Sequence, residues 1–139
     1  MRLASFTGLW QLERRIDDRR AARAGRLTGT ARVTPASGGL AYLEQGVLTL
    51  DGAAPMTAAR ALLWREAEGR IEVRFDDGRF FHSFPADAPE PVAEHPCGPD
   101  LYRVRYDFRA WPRWRSEWRA QGTHKDYRLV SVYDPAPAD

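Results

Sequence analysis

Gly8-Leu9-Trp10-Gln11-Leu12-Glu13-Arg14-Arg15-Ile16 alternates strictly near the start of the sequence, and Lys125-Asp126-Tyr127-Arg128-Leu129-Val130-Ser131-Val132-Tyr133 answers it near the end. A period of two is the mark of a half-buried strand. In the first run Trp10, Leu12, Arg14 and Ile16 share one face, while Gln11, Glu13, Arg15 and Asp17 share the other. The two runs are predicted to be the first and last strands of a sheet whose ends meet.

The same period governs the sequence between them. Arg26 to Pro35 sets Leu27, Gly29, Ala31 and Val33 against Thr28, Thr30 and Arg32, thinned by glycine where backbones approach closely. Leu40 to Leu50 places Leu40, Tyr42, Glu44, Gly46, Leu48 and Leu50 on one face, so a carboxylate falls in line with aliphatic side chains. Thr57 to Glu66 carries Leu62 and Trp64 and fits a strand or a short helix, with strand order favouring the strand. Ile71, Val73 and Phe75 lead through Asp77-Gly78, a strong hairpin signal, into Arg79 to Phe84. Leu101 to Ala110 alternates Tyr102, Val104, Tyr106 and Phe108 with charged residues, and Trp114 to Gln121 precedes the closing strand. Asp17 to Gly25 reads as a loop or helical turn. Pro85, Pro89, Pro91, Pro96 and Pro99 make the segment between Phe84 and Asp100 a long irregular connection. The prediction is a single all-β domain over residues 1–139, a closed antiparallel barrel of about eight to ten strands.

A chain of 139 residues can bury roughly 70% of its unfolded surface and needs no disulfide. Cys97 is the single cysteine, Met1 to Thr7 lacks the apolar stretch of a signal peptide, and no apolar run approaches the ~20 residues of a membrane span. These features predict a cytoplasmic protein without membrane contact. The formal charge is +2, from 21 basic and 19 acidic residues, too balanced to imply nucleic acid. Arg14, Arg15, Arg19, Arg20, Arg23 and Arg26 cluster, but Glu13, Asp17 and Asp18 sit among them and no interleaved aromatics offer base stacking.

Gly8-Leu9-Trp10 resembles the Gly, any residue, Trp motif on the first strand of lipocalins and other calycins, whose basic closing strand, here with Lys125 and Arg128, packs over that Trp. The order of short motifs is similar to that of a bacterial family of uncharacterised lipocalin-like barrels: Trp10 with Arg14; Tyr42, Glu44, Gly46; Phe75, Asp77, Gly78, Arg79, Phe81, His82; His95, Cys97, Asp100, Tyr102; Lys125, Asp126, Tyr127. That resemblance covers nearly the whole chain and implies a lipocalin-like fold but no activity. Secreted lipocalins carry a signal peptide and paired cysteines; with one cysteine and no signal peptide expected, extracellular transport is not predicted.

Among groups that could carry chemistry, His82, His95, Cys97 and Asp100 are the nearest to a zinc set, but their spacing is loose and no second cysteine arm exists. His82 or His95 is also a candidate haem ligand. Cys97 between Pro96 and Gly98 would need His95 or His82 to make a thiolate nucleophile. No nucleophile elbow or phosphate loop is present. Alternation places Arg14, Tyr42, Glu44, His82, Tyr102, Tyr106, Lys125, Tyr127 and Tyr133 on inward faces, and buried polar groups need partners. They can satisfy one another, with Arg14 or Lys125 on Glu44, or they can line a pocket. Trp10, Trp64 and Trp118 are core plugs or pocket walls. The leading expectation is a barrel that binds a small, partly apolar or acidic ligand in its interior, with Arg14 or Lys125 meeting an anionic group. A second is an isomerase, cyclase or hydrolase with Glu44 or His82 as general base. A third is a filled barrel acting through its surface as a homodimer, with Trp111 and Trp114 at the contact. Cofactors stay unassigned.

Overall fold

Each alternating run becomes a strand in the computed structural model, which describes residues 2–137. A short 3-10 turn (η1, Leu3–Phe6) precedes β1 (Gly8–Asp18), β2 (Arg23–Ala36), β3 (Gly39–Leu50), β4 (Met56–Ala67), β5 (Arg70–Phe75), β6 (Phe80–Pro85), β7 (Val92–Cys97), β8 (Asp100–Asp107), β9 (Trp114–Gln121) and β10 (Asp126–Pro135). They form one antiparallel sheet in the order β6-β5-β4-β3-β2-β1-β10-β9-β8-β7. The first and last strands pair, with Trp10 opposite Pro135 and Asp18 opposite Tyr127. The edges β6 and β7 share no ladder, so the barrel is nearly closed rather than closed. Rings cross that seam instead, Phe81 and His95 lying 5.5 Å apart.

The structure corrects two connections expected from sequence. Residues 17–25 form no long loop: β1 runs to Asp18 and β2 starts at Arg23, with the turn between them allowed by a positive φ of 50° at Ala22. The proline-rich connection contains β7, which pairs with β8. Proline lacks the N–H that a central strand must donate, but β7 is an edge, so Pro96 fits there. The segment before it is tied down, since Tyr106 N–H donates to Pro91 O at 3.0 Å and Phe108 N–H to Pro89 O at 2.9 Å.

Side-chain size decides how the interior is filled. Gly29 and Gly46 face each other across β2 and β3, and a Cβ on Gly29 would run into the Gln45 carbonyl oxygen. The two long strands therefore approach closely there and leave little side-chain volume inside. The opposite end is filled with rings. Phe6 of η1 inserts between Trp64, Phe108, Trp111 and Trp114 at centroid distances of 5.1 to 5.5 Å, and Trp114 stacks on Tyr133 at 3.7 Å. Trp10 joins them and fixes η1 by donating from Nε1 to Phe6 O at 2.9 Å. Arg128, near the start of β10, and Lys125, just before it, lie at the far end of that strand from Trp10, so they do not pack over it as the lipocalin motif implied. Arg128 instead donates to Glu117 at 2.8 Å.

Phe6 is the keystone of this plug. Phe6→Ala is expected to destabilise the fold by about 3–5 kcal/mol, the usual cost of deleting a buried phenylalanine ring, as read by urea denaturation followed by tryptophan fluorescence.

Candidate functional site

Three polar side chains meet at the waist of the barrel because alternation on β1, β3 and β10 turns them inward at the same level. Arg14 donates from Nη1 and Nη2 to Glu44 Oε2 and Oε1 at 2.6 and 2.9 Å, and from Nε to Ser131 Oγ at 2.7 Å. Tyr42 donates to Glu44 Oε1 at 2.6 Å and lies 2.8 Å from the Tyr133 hydroxyl. A phenol has one proton. With that of Tyr42 given to Glu44, Tyr133 is the donor to Tyr42. All five residues are buried. Burial alone would push the Glu44 carboxyl up, but the hydrogen bonds and charge of Arg14 outweigh it and hold Glu44 below its ordinary value. Burial alone would lower Arg14, and the bond to Glu44 carries it above the usual guanidinium range instead. Burial, with the neighbouring Tyr133 and Glu44, raises Tyr42 far above the ordinary phenol.

On the side of this layer away from the aromatic plug lies a cleft of about 320 Å³, lined by Arg14, Ile16, Asp18, Leu27, Glu44, Leu48, Leu50, Ala58, Ala59, Arg60, Tyr127 and Leu129. Its walls are aliphatic and half-buried at Leu48, Leu50 and Leu129, while Leu40 and Tyr42 further along β3 are buried. The cleft thus opens to solvent at one end and finishes on the Arg14–Glu44 pair. From the cleft wall Arg60 lays its guanidinium over the Trp118 ring, 4.8 Å from the centroid, a cation–π contact. Arg60 Nη1 is shielded from solvent and has no hydrogen-bond partner among the described residues. Sequence reasoning missed Arg60, although counting back by twos from Trp64 and Leu62 puts it inward.

The nine expected residues divide into three groups. Arg14 and Glu44 form the cleft floor, with Tyr42 and Tyr133 beneath it. Tyr127 lines the cleft, and Tyr102 stands near the mouth, where its hydroxyl meets Lys125 Nζ at 2.5 Å. Lys125 itself is exposed and 3.7 Å from Asp100, so it does not point into the barrel. It precedes β10, where alternation no longer governs direction. His82 and Tyr106 belong to the packed half, bonded to each other at 2.7 Å and sealed from solvent. Burial, with the nearby His95 charge adding to it, lowers His82 to about 3.

His82, His95, Cys97 and Asp100 do not gather: no group of three or more potential ligands able to hold a metal occurs among the described residues, and Cys97 is exposed. Trp114 is buried, whereas Trp111 is half-buried and packs one side on Phe6. No helix among the described residues is long and apolar enough to cross a membrane.

A family of unknown function, DUF6314, matches residues 6–135. The chain belongs to that family. Among solved structures, this DUF6314 chain is similar to the S-type phycobiliprotein lyase CPES from Guillardia theta, with a TM-score of 0.66, 12% identity, and coverage of 99% of this chain and 92% of the lyase chain. At that identity the likeness concerns the fold. No curated protein matches.

Two measurements probe the buried polar groups of this DUF6314 barrel. Arg14→Met should cost about 3–5 kcal/mol because it strands the Glu44 charge, whereas Arg14→Met with Glu44→Leu should recover most of that loss; chemical denaturation of the single and double variants decides. His82 gives a pH signature. Its folded value of about 3 lies below the ordinary 6.5, so below 6.5 the unfolded chain takes up a proton that the folded chain resists. Stability should therefore fall as pH drops through 6.5 towards 3, by up to about 1.4 kcal/mol per unit. Between pH 6.5 and 4.5, above the Glu44 range, His82→Gln should flatten that slope in urea melts.

Proposed function

We propose that this chain binds a small, partly apolar molecule inside the barrel, in the cleft between the Arg14–Glu44 layer and the mouth. The observation that carries this reading is a cleft of about 320 Å³ walled by Leu27, Leu48, Leu50, Ala58 and Leu129 in a barrel otherwise packed with rings. Ligand sites of the ordinary kind run from about 300 to 1,000 Å³, with apolar walls and a few placed polar groups. This volume equals about ten waters at their liquid share of space. A ligand that replaces them covers aliphatic surface worth roughly 25 cal/mol per Å². The floor supplies fixed polar groups and the Tyr127 ring a further wall. Exposed Cys97, the single cysteine, suits a reducing compartment, and cytoplasmic action is part of the proposal.

Catalysis has less support. Both Glu44 oxygens are engaged, and its carboxyl is held low, which makes it a weak base. His82 is walled off behind Phe81, Phe84 and Tyr106 and has no route to the cleft floor. The similarity to a phycobiliprotein lyase supports a barrel fit for holding ligands without naming one.

Native mass spectrometry of the freshly purified protein, set against its denatured mass, tests the reading. A small molecule that leaves on denaturation is expected, and Leu48→Trp, which fills the cleft, should abolish its retention while the protein stays folded by circular dichroism. Equal retention by the wild type and a folded Leu48→Trp protein would overturn the interior site.

A further inference from the structure

The cleft has a head-group end. Resting on the interior-binding reading, we propose that the ligand carries an oxyanionic group on its apolar body, and that Arg60 holds that group inside the cleft.

The argument begins with register. Arg60 on β4 lies directly opposite Glu44 on β3, the natural place for an ion pair. The pair is not made, because Arg14 reaches over from β1 and takes both Glu44 oxygens, and Tyr42 takes a remaining lone pair. No carboxylate lies within ion-pair distance of Arg60 among the described residues, and of the described arginines it alone has a shielded guanidinium nitrogen without a hydrogen-bond partner. The Arg60 guanidinium rests on Trp118, and its Nη1 stays shielded and unbonded. A guanidinium donor removed from water without an acceptor is costly, and an ionised acceptor is what it matches best.

The surroundings agree. Tyr127 lines the cleft, and burial together with Tyr102 raises its phenol, so at neutral pH it remains a neutral donor. Lys125, held on Tyr102, adds positive charge beside the opening. The one carboxylate on the cleft rim, Asp18, accepts from Ala21 N–H in the adjoining turn. An anion seated in the cleft would set its apolar part against Leu27, Leu48 and Leu50 and its oxygens beside Arg60 and Tyr127. A cationic ligand would find its natural acceptor, Glu44, already saturated.

A matched pair of fluorescent probes separates the head group from the body. 1-Anilinonaphthalene-8-sulfonate and N-phenyl-1-naphthylamine share one ring system and differ by the sulfonate. Both are titrated into wild type, Arg60→Met, Arg60→Lys, Leu48→Trp and Arg15→Met, the last removing an exposed arginine on the outer wall. The sulfonate probe should weaken about tenfold or more in Arg60→Met, and in part recover in Arg60→Lys, as expected for loss of a charged hydrogen bond. The neutral probe should change less than about twofold, because its apolar contacts survive. Arg15→Met should alter neither. If Arg60→Met weakens both probes equally or neither, or if Arg15→Met reproduces its effect, the head-group assignment falls while the interior cleft stands. If wild type binds neither probe, or a folded Leu48→Trp protein binds both as wild type does, the interior reading itself falls. Circular dichroism melts of each variant exclude unfolding as the cause.

Discussion

Everything inside this barrel is arranged around one buried ion pair. Arg14 and Glu44 stand on β1 and β3, separated by β2, and reach each other through the interior. The third bond of Arg14, to Ser131 on β10, brings in the closing strand. One side chain thus links the first strand of the sequence, the third and the last. Removing two charges from water costs several kcal/mol per ion, returned only by close geometry and saturated hydrogen bonds. Both conditions hold here: the contacts run from 2.6 to 2.9 Å, and Tyr42 fills the coordination of the carboxylate. The layer is polar but closed, a partition between two halves of different character.

Residue size on each side explains the difference. Towards η1 the inward positions are Trp10, Trp64, Trp114, Tyr106 and Phe108, and their rings interlock edge to face. Towards the other end they are Gly25, Gly29, Gly46 and Ala58, flanked by leucines. Strands spaced about 4.8 Å apart give both halves a similar frame; at the three glycines the neighbouring strand takes the place of a Cβ, and the cleft opens beside them between the leucines, Ala58 and Ala59. The cleft is therefore encoded by where leucine and alanine replace aromatic residues, and no loop or domain boundary is needed to make it. Similarity to a lyase barrel at 12% identity fits this logic, since the frame depends on alternation while the space within depends on individual side chains.

Legibility in the sequence followed the same division. Arg14 and Glu44 were readable because each sits amid aliphatic residues at period two, where facing inward is forced by its neighbours. Tyr42 and Tyr133 were readable for that reason too, and the pairing of Arg14 with Glu44 was one of the two partnerships the residues allowed. Arg60 was not, because its segment suited helix as well as strand, and period two cannot be counted until the strand is settled. At β6 the register shifts opposite Val73 and Arg74, and Phe81 and His82 are both buried, which strict alternation forbids. β7 was hidden by its prolines, since only its place at the sheet edge makes them acceptable, and edge position is a property of the whole topology. Lys125 failed as an inward residue because alternation was extended past the end of a strand.

The two interior arginines hold the same charge yet are not equivalent. For a ligand anion to recruit Arg14 it must displace Glu44, leaving a carboxylate buried near Leu27 and Tyr42 without the guanidinium bonded to it, a change on the scale of about 3–5 kcal/mol. To recruit Arg60 it must at most loosen a contact with the Trp118 face, worth about 0.5–2 kcal/mol, and it meets a donor that has no acceptor to surrender. The difference of a few kcal/mol separates structural from available charge. Arg14 is held by the fold, whereas Arg60 feels the Glu44 charge without bonding to it and rests on a ring.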